Sequence, residues 1–166
     1  MHKLLPPVVC AIGAFLAPAG CAFAQDQAEH TRQIEAVVEA FRTSIIEKDK
    51  PKFTALLFSE NIPWTAVLEQ ETLDRERRKK PQAKRVFADA SEGPIGFIDS
   101  IVQEKDRQEE KFDNVRIETD GSIASVWFDY SYHSGEKKTN WGKEAWQLVR
   151  TDDGWKISSV IWSMAY

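Results

Sequence analysis

A carboxylate and a phenol on one face of a sheet can move a proton. The first serves as base and the second as donor to a developing oxyanion. Strand parity offers such a pair in this sequence, with Glu144 as base and Tyr130 as donor. Tyr132, Ser159 and Ser163 are the other polar groups that parity puts on the same face. A plainer reading puts Glu144 at a pocket rim, paired with a Lys or Arg and without a catalytic role, because buried carboxylates are rare unless paired. Tyr130 and Tyr132 suit core positions with a wet hydroxyl equally well. Trp64, Phe128 and Trp146 add aromatic wall, and with Tyr132 and Ser159 they are the expected ligand contacts. Asp129 and His133, four apart on one strand, also share a face. Parity turns that face outward, toward a surface or interface role rather than a dyad.

Other chemistries lack their residues. Beyond the first 24 residues the only histidines are His30 and His133, and there is no cysteine, so no metal site and no thiol nucleophile is expected. No Gly-rich phosphate loop and no Gly-x-Ser-x-Gly elbow occurs. No cofactor is expected.

The elements that must position these side chains are legible. From Phe112 to Tyr166 the chain reads as long strands joined by tight turns, and it carries five of the six tryptophans. Asp120-Gly121 separates Phe112–Thr119 from Ser122–His133, and Asp153-Gly154 separates Trp141–Thr151 from Trp155–Met164. An Asp-Gly pair between alternating runs marks a hairpin, because glycine takes positive φ at no steric cost. Around the first turn Ile117 should oppose Ala124 and Val115 oppose Val126. Val115, Ile117, Ala124, Val126, Phe128, Tyr130 and Tyr132 then form the inner face. Around the second, Glu144, Trp146, Leu148 and Arg150 share the inner face with Trp155, Ile157, Ser159, Ile161 and Ser163. Trp127, Val149, Val160 and Trp162 fall outside. A sheet this apolar on both faces needs a second partner, and a homodimer through the outer face is expected.

Helices come first, so the class is α+β. Thr31–Lys48 is amphipathic, with Ile34, Val37, Val38, Phe41, Ile45 and Ile46 at three- and four-residue steps. A second helix starts near Pro51, with Phe53, Leu56, Leu57 and Phe58 on its apolar side. A strand follows over Ile62–Leu68, with Pro63 hinting at a sheet edge. A third helix follows Gly93-Pro94, carrying Phe97, Ile98, Ile101 and Val102. Between them Glu69–Glu92 is densely charged, its basic residues clustered from Arg75 to Arg85. It reads as a solvated helix face before a loop at Pro81, or as a lid beside a pocket mouth whose cations favour an anionic ligand group. It lacks interleaved aromatics to stack bases.

The N-terminus reads as an export signal over residues 1–24. It has a positive Lys3, an apolar stretch to Ala17 and an Ala22-Phe23-Ala24 cleavage site. The protein is then periplasmic or secreted, with Gln25–His30 a disordered tail and 31–166 one domain. Pro18-Ala19-Gly20-Cys21 partly resembles a lipobox, so a lipid anchor on Cys21 is the alternative. Without one, no membrane contact is expected. Of 22 basic residues only Lys3 is removed, leaving 21 against 26 acidic, which argues against nucleic acid as a partner.

Helix, helix, strand, helix and a curved meander resemble the nuclear transport factor 2-like superfamily, including its SnoaL-like bacterial branch. The residues that carry the likeness are Ala124-Ser125-Val126 after Asp120-Gly121, and Gly142, Trp146, Leu148, Gly154-Trp155-Lys156-Ile157 and Trp162-Ser163 at the end. The resemblance implies a cone, in which a curved antiparallel sheet wraps on N-terminal helices around a pocket open at one end, and frequent dimers through the outer sheet face. It covers enzymes and binding modules alike, so function must come from the site. The ketosteroid-isomerase-type helix Tyr and second-strand Asp have no counterpart here. The expectation is an exported protein that binds a small apolar molecule, with no demonstrable catalytic set. The alternatives are an isomerase, dehydratase or cyclase using Glu144 and an inner tyrosine, and a homodimeric protein-interaction module.

Overall fold

The computed structural model describes residues 19–88 and 93–166, with side chains from Gln25 onward. The expected export signal, its cleavage site and the Cys21 alternative fall on residues whose side chains lie outside that description.

Helix α1 runs Ala19–Glu47. Ile34, Val38, Phe41 and Ile45 are buried along it, the stripe that three- and four-residue spacing produces. Gln25–His30, expected as a disordered tail, is instead continuous with α1. Its polar side chains find partners on the hairpin ends. The Gln27 side-chain amide donates to the Thr119 carbonyl, and the His30 ring stands edge-on to Trp155 at 5.9 Å. At the other end Lys48 takes φ of 55° and ends the helix, with the Asp49 N–H returning to the Ser44 carbonyl at 2.9 Å. Asp49 then caps α2 (Lys50–Ala55), its carboxylate accepting the Lys52 N–H at 2.9 Å. Helix α2 buries Phe53 but stops before Phe58. Phe58 points to solvent because its N–H has already joined the Ile157 carbonyl.

Strand β1 (Trp64–Leu68), helix α3 (Gln70–Lys79), strand β2 (Val86–Phe87) and helix α4 (Pro94–Gln103) follow. Four strands complete the chain: β3 (Gln108–Thr119), β4 (Ile123–Ser134), β5 (Lys137–Thr151) and β6 (Gly154–Met164). They form one open sheet in the order β2-β1-β6-β5-β4-β3. The antiparallel sheet expected from the turns holds at every junction except β1–β6, which is parallel. No tight turn joins β1 to β6, so nothing local imposes the antiparallel sense. Pro63 accordingly precedes an interior strand rather than an edge strand, and its carbonyl still accepts the Val160 N–H at 2.9 Å.

The concave face packs on α1, α2 and α4 around Phe41, Phe53, Phe128, Trp146 and Ile157, all but fully buried. Phe41 meets Trp146 at 4.7 Å with the rings tilted by 51°, and Phe112 meets Phe128 at 4.5 Å. Helix α4 turns Ile98 and Ile101 inward and leaves Val102 largely exposed. The described part of the basic segment has regular structure. Leu73 and Thr72 anchor α3, Arg77, Arg78 and Lys79 occupy its last turn where the helix dipole favours cations, and β2 pairs with β1.

Two β-bulges correct the parity count. In β3 the register slips between Asp113 and Arg116, with Asn114 at φ 55°. Val115 is thereby 40% exposed, and Gln108, Glu110 and Phe112 become the inward residues. The turn is also wider than counted, so Ile117 opposes Val126 and Thr119 opposes Ala124. In β6 the register slips opposite Gln147/Leu148. Val160 is thereby buried and Trp162 faces inward, while Ile161 is 50% exposed and Ser159 and Ser163 leave the inner face.

Gly142 marks where β5 and β6 come closest. A Cβ there would sit 2.1 Å from the Ser163 carbonyl oxygen, a backbone atom that cannot step aside. Gly142→Ala is expected to destabilise by about 3 kcal/mol, the upper range of overpacking. Gly135→Ala, at φ 59° in open space, should lose about 1 kcal/mol. Urea melts of the two variants check the ordering, and equal midpoints would contradict it.

Candidate functional site

A cavity of about 280 Å³ opens between the concave face and helices α1 and α4. Each strand from β3 to β6 contributes to it, because alternate residues of each face the helices. Glu110 comes from β3, Tyr130 and Tyr132 from β4, Asn140 and Glu144 from β5, and Trp162 and Met164 from β6. Trp64 enters from β1, Phe41 from α1, and Phe97 and Ser100 from α4.

The polar end is a pair of carboxyls. Glu110 lies opposite Tyr132 and Glu144 opposite Phe128, so the two straddle β4 on either side of Tyr130. Both are 4% exposed, and they share a hydrogen bond. The Trp146 indole N–H donates to Glu144 Oε1 at 2.5 Å. Burial pushes Glu144 up to about 7, against the pull of its bonds from Trp146 and Glu110. Burial pushes Glu110 well up too, and the Glu144 charge and their shared bond add to it. Two like charges this close cannot both persist in a dry site. Near neutral pH the pair therefore retains a proton between its two members and is poised to give or take one. Burial first, then the surrounding carboxylates, pushes Tyr130 and Tyr132 well above the ordinary phenol range, so both stay neutral donors. Tyr130 uses its hydroxyl on the Ser163 carbonyl at 3.1 Å.

Glu144, Tyr130, Tyr132 and Trp64 thus meet in one cavity. Phe128 and Trp146 lie beneath it in the core, where Trp146 serves Glu144 rather than a ligand. Ser159 does not reach it, because the β6 bulge turns it outward toward the Gln147 position. Ser163 likewise turns away, its hydroxyl accepting the Lys143 N–H at 2.9 Å. The rim reading of Glu144, paired to a cation, does not hold, since no Lys or Arg pairs with it among the described residues. Asp129 and His133 lie on the outer face. Asp129 is taken up by Lys143 and by Asn114 Nδ2 at 2.7 Å, and His133 contacts the Ser131 hydroxyl at 3.0 Å. No residue of the basic segment from Arg75 to Arg85 lines the cavity. Glu110, Asn140, Trp162 and Met164 are the strand residues of the site that the sequence reading missed. The signal for Glu110 was Phe112 and Val115 at odd spacing around Asn114, a residue that tolerates the left-handed conformation a bulge requires.

No protein-family model matches the sequence, and no curated protein matches it. Solved structures do. An NTF2-like protein with a cystatin-like fold from Novosphingobium aromaticivorans superposes with a TM-score of 0.64 at 10% identity, over 91% of this chain and 92% of that one. A candidate scytalone dehydratase from the same organism gives 0.60 at 12% identity, over 86% and 89%. The hexachlorocyclohexane dehydrochlorinase LinA-type3 from Novosphingobium barchaimii gives 0.58 at 12% identity, over 86% and 91%. Identities this low establish the fold alone.

The buried pair ties stability to pH. Both carboxyls titrate above their unfolded value of 4.5, so the folded state holds more protons than the unfolded between that value and about 7. The associated stability is fully present below pH 4.5 and is lost as pH rises through about 7. Urea midpoints should therefore fall from pH 5 to pH 8, by up to about 3 kcal/mol in unfolding free energy. Glu144→Gln should flatten the slope. A wild-type midpoint that rises over this range would show the pair ionised and paired elsewhere.

Proposed function

On a chain with the fold of the nuclear transport factor 2-like superfamily, we propose that the cavity is a binding site for a small molecule, held by the aromatic wall and oriented by the Glu110–Glu144 pair. The observation that carries this reading is the pair itself. Two buried carboxyls without a cation weaken the fold, and both line a cavity in which a ligand can meet them. The leader pattern supports an exported protein, periplasmic or secreted.

A second reading is an acid–base enzyme of the isomerase, dehydratase or cyclase type. Glu144 at about 7 supports it, as the base, with Glu110 or a neutral tyrosine donating to the opposite end of the reacting group. Two of the similar structures carry dehydratase and dehydrochlorinase names.

One purification tests export, binding and turnover. Native mass spectrometry of protein from the exporting host's periplasm is expected to show a mass beginning at Gln25 and a bound small molecule. Incubating that molecule with fresh protein separates the readings, because conversion by wild type and not by Glu144→Gln identifies an enzyme. Recovery of the unchanged molecule leaves a binding protein, and an empty cavity across a broad thermal-shift panel would sink both.

The outer face supports the homodimer in altered form. Val160 and Trp162 are inside, but Ile123, Trp127 and Ile161 are each about half exposed or more on that face. Their area is costly to leave wet. Light scattering should give a dimer at micromolar concentration and a monomer for the Trp127→Glu/Ile161→Glu double variant. A monomeric wild type would contradict it.

A further inference from the structure

We propose that the ligand of this cavity is a small organic cation, an amine or quaternary ammonium, with its charge held between the Glu110–Glu144 pair and the surrounding ring faces. The proposal rests on the binding-site reading above and adds the ligand's charge class.

Three observations converge on it. The first is the sign of the lining. Among the residues that line the cavity there is no Lys, Arg or His, and two are buried carboxyls. The second is what surrounds them. The groups facing Glu144 are Glu110 from β3 and Tyr130 and Tyr132 from β4, while α1, α4 and β6 present only uncharged side chains to the cavity. The charges acting on Tyr130 are those of Glu110, Glu144 and Glu69, those acting on Tyr132 are Glu110 and Glu104, and no cation acts on either. Any charge the pair carries at this end is negative, and no cation in the lining offsets it. The third is the wall. Trp162 meets Trp64 at 5.5 Å and 64°, Trp64 meets Phe97 at 5.5 Å and 45°, and Phe97 meets Tyr132 at 6.1 Å and 64°. Rings tilted in succession around one space form a cage, and ring faces attract an ammonium group through their quadrupoles.

The other charge classes fit worse. An anion would enter a negative site that lacks a donor cation, and the basic cluster of α3 that might have served it stands away from the cavity. A purely apolar molecule would seal the pair from water and leave the Glu144 charge without a partner, which carries a large desolvation cost. A cation instead supplies the counter-charge that the fold omits.

Proton linkage gives the test its signature. A permanent cation favours the ionised pair, so its affinity should rise as pH passes through about 7, the range in which Glu144 gives up its proton. The probes are choline, its neutral carbon isostere 3,3-dimethylbutan-1-ol and the anion 3,3-dimethylbutanoate, titrated by tryptophan fluorescence and calorimetry. At pH 8 choline should bind about tenfold more tightly than the neutral isostere, as expected for a desolvated cation at an aromatic cage. That gap should shrink at pH 5.5. Glu144→Gln and, separately, Glu110→Gln should narrow it at pH 8 while each variant melts cooperatively. A neutral isostere that binds as well as choline at pH 8, or an anion that binds better, overturns the charge assignment and leaves the pocket reading standing. If none of the three binds at millimolar concentration, the cation assignment falls, and the binding-site reading is decided by the thermal-shift panel alone.

Discussion

Burying two carboxyls side by side is the constraint around which the rest of this structure is arranged. A lone ionised carboxylate in a dry interior is untenable, and a second beside it doubles the difficulty. Here the difficulty is met by a shared hydrogen bond, by the Trp146 indole N–H on Glu144, and by a proton that the pair retains. None of these is a counter-charge. Trp146 can reach Glu144 only because the two are neighbours on one face of β5, and Trp146 is itself fixed by Phe41, Phe112 and Phe128. The aromatic core is therefore the support that orients the polar group above it, and core and site are one packing problem.

The fold was legible because its punctuation is strong. The Asp120-Gly121 and Asp153-Gly154 turns, Pro51 and Gly93-Pro94 each have a local physical cause, and each marks a boundary in the structure. Glu144, Tyr130, Tyr132 and Trp64 were legible for a related reason, since parity holds over any uninterrupted stretch of strand. What escaped lies beyond an interruption. Counting back from Ile117 by twos reaches Glu109 and misses Glu110, and counting forward from Ile157 reaches Ile161 and misses Trp162. In both cases one extra residue in a bulge reverses the facing of everything past it. Half of the carboxyl pair was thereby hidden, and with it the chemistry.

The bulges do more than confuse the count. Without the β3 slip Glu110 would face solvent and Glu144 would stand alone. Without the β6 slip Val160 and Trp162 would face outward, and the cavity would lose a wall while the exposed face gained a tryptophan. Both irregularities bend their strands where the sheet must curl around α1 and α4. The same two residues of irregularity therefore shape the concavity and choose which side chains fill it.

The parallel pairing of β1 with β6 bears on the order in which the molecule assembles. Strand β6 is the last of the described strands in sequence, yet it stands inside the sheet between β1 and β5. Until it arrives, β1 has only the two residues of β2 beside it, and α2 lacks the Ile157 carbonyl that receives Phe58. Joining residues 64–68 to residues 160–164 closes a loop of nearly the whole domain, the kind of contact that forms slowly. A ribosome-bound chain short of β6 would have its helices and hairpins but no closed layer. In this topology the sheet closes only when residues 154–164 join it, so the layer that backs the cavity is completed late in folding.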